Sequence, residues 1–111
     1  MELTGKCKEE FEGWFEYKYD NNNTSDVIML KTEFDLMPFE FKYGVYVDYF
    51  DSVGIILEVS YVFHLGYWAS SSIEKDGRYE INDECNTRQE SRDKAIEKAN
   101  EIRNKQFENE Q

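Results

Sequence analysis

Four oxygen-bearing side chains alternate in the polar segment that follows the first apolar stretch: Asp20, Asn22, Thr24 and Asp26. Oxygen ligands with this alternation begin a calcium-binding loop, which also requires a glycine at its sixth position and a glutamate at its twelfth. These two positions hold Ser25 and Lys31 instead. The pattern therefore favours a polar turn over a calcium site.

Paired carboxylates are a second arrangement with possible chemistry. Asp48 and Asp51 lie three residues apart, with Glu40 upstream. Two such carboxylates can share a proton or hold a metal ion, and together with His64 they would suit a small carboxylate- or metal-dependent hydrolase. His64 is the one histidine of the chain, but it stands beside a predicted turn without a nucleophile-elbow motif. We keep the hydrolase as an alternative hypothesis, because carboxylates on helix surfaces are mostly just solvated.

The two cysteines, Cys7 and Cys85, are far apart and belong to no CxxC motif, so free thiols are expected. Lys6 and Lys8 flank Cys7 and would lower the pKa of an exposed thiol, whereas a buried cysteine would be inert. The sequence therefore assigns no catalytic, cofactor-binding or metal-binding residue and no cofactor. We do not expect an enzyme.

The charge balance limits the partners of the protein. Thirteen Lys and Arg stand against 24 Asp and Glu, which gives a net charge of −11. This charge repels phosphate backbones and anionic membranes, so neither direct nucleic-acid binding nor membrane binding is expected. The chain contains no apolar window long enough for a membrane span and does not begin with a signal peptide, which predicts a cytoplasmic protein.

The apolar spacing of the first half predicts helices. Residues 4–19 place Cys7, Phe11, Trp14 and Phe15 on one helical face. Residues 20–26 are a loop by composition, and the short apolar run 27–30, of undecided type, leads into residues 31–37, which would reach the core through Phe34, Leu36 or Met37. Residues 39–51 fit both a strand and a helix, but Pro38 and Gly54 suit the first helical position and a left-handed C-cap. We predict a helix with Tyr43, Val47 and Phe50 inward and Asp48 outward.

The second half predicts three strands and a final helix. Residues 55–63 and 67–74 alternate as strands around a turn at 64–66, and the Asp76-Gly77 hairpin signal leads to a short strand at 79–81. A capping box at Thr87 and Glu90 opens a helix over 88–105, whose Ile96, Ala99 and Ile102 would be buried against the strands. The predicted fold is one α+β domain over residues 1–111, with a three-stranded antiparallel meander and a frayed tail at 106–111.

Aromatic residues gather on the predicted sheet around the serines at 70–72, namely Tyr61, Tyr67, Trp68 and Tyr79. Aromatic sheet faces can stack bases when Lys or Arg surround them. The charges nearest in sequence are mainly acidic: Glu58, Glu74 and Glu80 against Lys75 and Arg78. We therefore expect most of the rings to pack in the core and any exposed remainder to contact protein.

Four stretches carry a resemblance: TGKCKEEFE at 4–12, LMPF at 36–39, YGVYVDYFDSVGI at 43–55 and TRQESRDKAIEKANEI at 87–102. They resemble the small uncharacterised proteins that phages and prophages of gut bacteria encode. The resemblance covers most of the chain, and it implies a bacterial or phage cytoplasmic setting and no site residues. The helix–three strands–helix order is also similar to double-stranded-RNA-binding domains, but in topology only, and the acidic charge argues against that function.

The leading hypothesis is a non-enzymatic phage or prophage accessory protein that binds an unknown protein partner through an acidic, aromatic surface. Its first alternative is a nucleic-acid mimic that inhibits a DNA-handling protein, because rows of carboxylates can imitate phosphates. The hydrolase is the second alternative. The sequence leaves the partner and the oligomeric state open.

Overall fold

The computed structural model describes residues 2–20, 29–74 and 79–110. It is an α+β fold, as predicted, in which the last helix packs on a three-stranded antiparallel sheet. The polar segment 21–26 and the Asp76-Gly77 turn lie outside the described residues. The elements in chain order are α1 (Gly5–Phe15), a π-helical turn (Glu16–Asp20), α2 (Lys31–Asp35), α3 (Phe39–Ser52), β1 (Ile55–Val62), β2 (Tyr67–Glu74), β3 (Tyr79–Cys85) and α4 (Arg88–Asn109).

The sheet is a meander in the order β1-β2-β3. Leu57 pairs with Ser72 and Tyr61 with Trp68, so these four residues share one sheet face. The first strand shows the predicted alternation, since Ile55 and Leu57 are buried and Ile56 and Glu58 are exposed. The helices therefore cover one face of the sheet, which carries the odd-numbered residues of β1.

A bulge in β3 lies at the end of the sheet next to α4. Ser70 pairs with Asn82 whereas Trp68 pairs with Cys85, so β3 has one extra residue there. Glu84 adopts a φ of 63°, the left-handed conformation common in bulges. Because Cys85 is opposite Trp68, α4 must begin close to the start of β2.

Helix α4 begins at the predicted N-cap, Thr87, but the capping box is formed only in part. The Glu90 amide donates to Thr87 Oγ1 at 3.1 Å, whereas Glu90 Oε2 accepts from the amide of Asn86, the residue before the N-cap, at 3.2 Å rather than from the Thr87 amide. The predicted stripe of Ile96, Ala99 and Ile102 is buried, and α4 contacts β1 and β2. The helix ends at Asn109 rather than at 105, so it includes residues 106–109 of the expected tail.

Small side chains form the seam between α4 and β2. Ser72 Oγ donates to the carbonyl oxygen of Ala95 at 3.0 Å, a contact that requires the helix backbone to lie directly on the strand. Ser70 and Ser91 are buried too, and among the described residues neither hydroxyl has a hydrogen-bond partner. We infer that these serines are there for their size more than for their polarity, because an unpaired buried hydroxyl is unfavourable.

Residues 39–52 are helical, as predicted, but the buried face differs from the prediction. Pro38 is the N-cap rather than the first helical residue, and Gly54 has the expected positive φ, 83°. Asp48 is exposed and Phe50 is buried as predicted, whereas Tyr43 and Val47 are only half-buried. The fully buried residues of α3 are Val45, Tyr46, Tyr49 and Phe50. The buried arc is broader and rotated because α3 packs on α1 as well as on β1.

The core between α1, α2 and α3 is aromatic. Cys7, Phe11 and Phe15 are buried as predicted, and Trp14 is half-buried. The Phe11 ring centroid lies 5.1 to 5.7 Å from those of Tyr46, Tyr49 and Phe34. Of the three anchors considered for the segment 27–37, Phe34 is buried, whereas Leu36 is 88% exposed and Met37 is exposed. Within the described ranges, no helix has the length and apolarity to cross a membrane.

Candidate functional site

The proposed hydrolase residues lie at opposite ends of strand β1. Asp51 precedes the strand, and His64 follows it in the exposed turn over 63–66. A strand of eight residues spans about 26 Å. Asp48 is exposed and lies 3.7 Å from Lys18 Nζ, and the described residues contain no group of His, Cys, Asp or Glu that could hold a metal ion. The structure therefore does not bring the three residues together.

Both cysteines are buried free thiols. Cys7 Sγ lies 3.7 Å from the hydroxyl oxygen of Tyr49. Burial raises the pKa of the Cys7 thiol to about 11, although the Tyr49 hydrogen bond opposes the shift. Cys7 was considered either as an exposed thiol activated by its neighbouring lysines or as a buried, unreactive thiol. The structure supports the buried, unreactive thiol, because Lys6 and Lys8 are exposed and do not activate it.

The Glu10 carboxylate is the centre of a polar cluster between α1, α3 and α4. It accepts hydrogen bonds from the Tyr49 hydroxyl at 2.7 Å and from Arg103 Nε and Nη2 at 2.8 and 2.7 Å. The Arg103 hydrogen bonds hold the pKa of Glu10 below its usual range against the opposing effect of burial. Burial is the main cause that raises the pKa of Tyr49. The donors and acceptors of these three hydrogen bonds all belong to Glu10, Tyr49 and Arg103. The cluster is therefore suited to stabilising the fold.

Two further cross-links join the first and last helices. Thr4 N donates to Asn100 Oδ1 at 3.0 Å, and Cys7 N donates to Asn104 Oδ1 at 2.9 Å. Gly5 lies between them with a φ of 62°, and a Cβ at Gly5 would meet Asn104 Oδ1 at 3.0 Å. The two asparagines thus satisfy amides at the start of α1 that have no partner within the helix.

The turn between β1 and β2 carries large apolar side chains in solvent. Phe63 is 87% exposed, Leu65 55% and Tyr61 44%, while Trp68 is half-buried. The Tyr61 ring lies 5.5 Å from the Phe63 ring and 5.4 Å from the Trp68 ring, so the three form one aromatic cluster. We refer to Tyr61, Phe63, Leu65 and Trp68 as the hairpin tip.

A shallow groove of about 530 Å³ lies next to the hairpin tip, between the start of α4, α3 and the sheet. Two arginines stand over aromatic rings there: Arg88 Cζ is 4.7 Å from the Trp68 ring centroid, and Arg92 Cζ is 5.0 Å from that of Tyr43. We call this the arginine groove. Its lining residues are Tyr43, Val59, Ser60, Tyr61, Trp68, Arg88 and Arg92.

The arginine groove is not recognisable from the charges that lie near the aromatic residues in sequence, which are mainly acidic. Arg88 and Arg92 come from α4, some twenty residues later. The signal was nevertheless present, because an antiparallel meander returns the end of β3 to the start of β2. The observed pairing of Cys85 with Trp68 is the outcome of that topology.

A second cavity, of about 260 Å³, contains charges of both signs. Lys31 Nζ lies 2.6 Å from Asp35 Oδ1, and Lys42 Nζ donates to the Asp35 carbonyl oxygen at 3.3 Å. Burial, aided by Asp35 and Glu2, raises the pKa of Tyr46 to about 12. Because these charges largely compensate one another, the arginine groove and the hairpin tip are the stronger candidate site. The lining residues are Glu2, Leu3, Lys8, Phe11, Glu12, Lys31, Asp35, Lys42 and Tyr46.

Comparison of the chain with models of protein families, with curated proteins and with solved structures finds no match in any of the three. The function therefore has to be argued from the residues themselves.

Proposed function

We propose that this protein is a non-enzymatic accessory protein of a phage or prophage, which acts in the bacterial cytoplasm by binding another protein. The hairpin tip is the centre of the binding surface, on a protein whose net charge is −11. The exposure of Phe63 and Leu65 is the observation that carries this proposal. The phage setting and the cytoplasmic location rest on the sequence resemblance.

A protein partner accounts for the apolar exposure better than a solvent role does. Phe63, Leu65 and Tyr61 stand together at the end of one hairpin, and a contiguous apolar patch on a soluble protein typically marks an interaction site. Aromatic side chains contribute most strongly at the centres of protein interfaces. The net charge of −11 keeps the free protein soluble despite the patch.

Affinity capture from a lysate of the native host, with the hairpin tip altered, tests the proposal. The double variant Phe63→Ser, Leu65→Ser should fold normally and lose the captured protein, because both side chains are solvated before binding. Leu36→Ser is the matched control, since Leu36 is 88% exposed but lies between α2 and α3. A partner retained by the double variant and lost by the control would show that the interface lies elsewhere.

The nucleic-acid mimic remains the second proposal because of one feature of the N-terminal segment. Glu9, Glu12 and Glu16 are all exposed and recur at spacings of three and four residues, which places neighbouring side chains on one side of a helix. A partner recognised through these carboxylates would be a DNA-binding protein. Duplex DNA should then displace it from the captured complex, and Glu9→Gln, Glu12→Gln, Glu16→Gln should abolish capture while the hairpin-tip variant retains it.

A further inference from the structure

We propose that the arginine groove recognises an acidic segment of the partner, whose carboxylates bind Arg88 and Arg92 while its apolar side chains cover the hairpin tip. This inference rests on the proposed function and specifies the chemistry of the partner. The proposed partner is a protein segment whose two carboxylates lie about 6–7 Å apart, which is the spacing of alternate residues in an extended chain.

Arg88 and Arg92 contact aromatic rings rather than carboxylates in a strongly acidic protein. Across the described residues, neither arginine has a carboxylate within ion-pair distance. Arg103, by contrast, lies 2.7 Å from Glu10, and Lys98 lies 3.4 Å from Glu101. The groove is thus a local cationic site on a protein of net charge −11.

This arrangement of the two arginines is unfavourable for the free helix. Arg88 and Arg92 stand four residues apart, so two like charges are neighbours on one helical face. Arg88 also lies in the first turn of α4, where the helix dipole disfavours a cation. Bound carboxylates would relieve both effects, and a local rule broken in this way is typical of a functional site.

The two guanidinium groups offer hydrogen-bond donors to a ligand in the groove. A guanidinium that lies over a ring keeps its in-plane N–H groups free and matches a carboxylate with two parallel hydrogen bonds. Because Trp68 and Tyr43 hold the two groups, less side-chain freedom is lost on binding. The groove is therefore arranged in advance for anions that approach from solvent.

A protein carboxylate fits these features better than single-stranded nucleic acid does. Stacked bases require free ring faces, but Arg88 and Arg92 already lie over Trp68 and Tyr43. A polyanion would also meet the repulsion of the whole protein, whereas a short segment with two charges meets much less. The exposed Phe63 and Leu65 beside the groove supply an apolar surface that a peptide side chain can cover and a phosphate cannot.

The test is a titration of the ¹⁵N-labelled full chain followed by NMR. The probe is the capped peptide Gly-Glu-Leu-Glu-Phe-Gly, and its comparison is the same peptide with Gln in place of both Glu. The acidic probe should shift the Trp68 indole N–H and the Arg88 and Arg92 Nε–H signals, with a saturable, salt-sensitive response, and leave Trp14 unchanged. The Gln peptide should bind at least about tenfold more weakly, since charge-assisted hydrogen bonds are the stronger ones.

The variant Arg88→Gln, Arg92→Gln should lose binding of the acidic probe. Lys94→Gln, Lys105→Gln is the matched control, because it removes the same charge from exposed positions of the same helix. Equal binding of both peptides, an equal loss in the control, or no shift at millimolar acidic probe would overturn the inference. Stronger shifts with the oligonucleotide dT10 than with the acidic peptide would overturn it in favour of nucleic acid.

The two proposals fail in different ways. If captured protein is lost from the Phe63→Ser, Leu65→Ser variant but kept by Arg88→Gln, Arg92→Gln, the hairpin tip binds a partner and the acidic-segment inference is wrong. If neither variant loses the captured protein, the proposed function itself is wrong at this surface.

Discussion

The substitution Glu10→Gln removes one charge from the cluster that joins α1, α3 and α4 and leaves its shape almost unchanged. A glutamine oxygen can still accept from Tyr49 or Arg103 Nε. Its amide nitrogen, however, would face the Nη2 donor that now lies 2.7 Å from Glu10 Oε2. At least one charge-assisted hydrogen bond is lost, and the Arg103 guanidinium is left without its counter-ion.

The free energy of unfolding should fall by about 2 kcal/mol at pH 7. Truncation of one partner of a buried charged hydrogen bond costs about 1–3 kcal/mol or more. Solvent reduces the effect here, because the Glu10 and Arg103 side chains are 30% and 14% exposed. For a chain of 111 residues the corresponding fall in Tm is about 8 °C.

The loss should depend on pH in a defined direction. Because the pKa of Glu10 is lower in the folded protein than the ordinary glutamate value of 4.5, its ionised form stabilises the fold above that value. The stabilisation disappears as the pH falls through the lowered folded pKa. Gln does not titrate, so the difference between the wild type and Glu10→Gln should shrink steadily below about pH 4.5.

Urea unfolding at pH 7 and at pH 3, followed by circular dichroism, measures both effects. The exposed pair Lys98 and Glu101 is the control, and Glu101→Gln should cost less than about 0.5 kcal/mol. Arg103→Met completes a double-mutant cycle with Glu10→Gln, whose coupling energy isolates the pair. A loss below about 0.5 kcal/mol for Glu10→Gln at pH 7, or an equal loss at both pH values, would refute the reasoning.

Ile96→Ala and Ile102→Ala should each lower the free energy of unfolding by about 2–4 kcal/mol in urea titrations, and a loss under about 1 kcal/mol would contradict the packing of α4 on the sheet. Ser70→Ala and Ser91→Ala should leave stability unchanged or raise it, because their buried hydroxyls have no hydrogen-bond partner among the described residues, and a calorimetric Tm several degrees lower would show that they are paired. Cys7 should react with a thiol reagent such as DTNB only after unfolding, and rapid labelling at neutral pH would contradict its burial. In a gel shift at about 150 mM salt, duplex DNA or RNA should remain free, and micromolar binding would contradict the charge argument.

The sequence predicted the bounds of the helices well where several local signals agreed. It predicted poorly which residues are buried where tertiary packing determines the buried face. The N-cap at Thr87 and the stripe through Ile96 define α4 by themselves, and Pro38 and Gly54 bounded α3 despite its strand-like alternation. Which residues of α3 face inward could not be read from its periodicity. That choice depends on α1, whose Phe11 lies against α3 from a second direction.

The candidate site was only partly predictable. The prediction that most rings near Trp68 pack in the core was wrong, because Tyr61 is exposed and Tyr67 and Trp68 are only half-buried. Arg88 and Arg92 lie at the groove only in the folded protein, because the bulge before Cys85 places the end of β3 opposite Trp68 at the start of β2. No local pattern around Arg88 or Arg92 marks them as site residues, since both fit equally well on the solvated face of a helix.

The asparagine cross-links at the start of α1 have a consequence for protein synthesis. Thr4 and Cys7 find their partners in Asn100 and Asn104, which lie 96 and 97 residues later. At about 5–20 residues per second, the ribosome leaves the amides at the start of α1 without these partners for roughly 5–20 seconds. Phe11 can pack on Phe34, Tyr46 and Tyr49 well before then, so the aromatic core can form first, and the start of α1 is fixed only once the last helix has emerged.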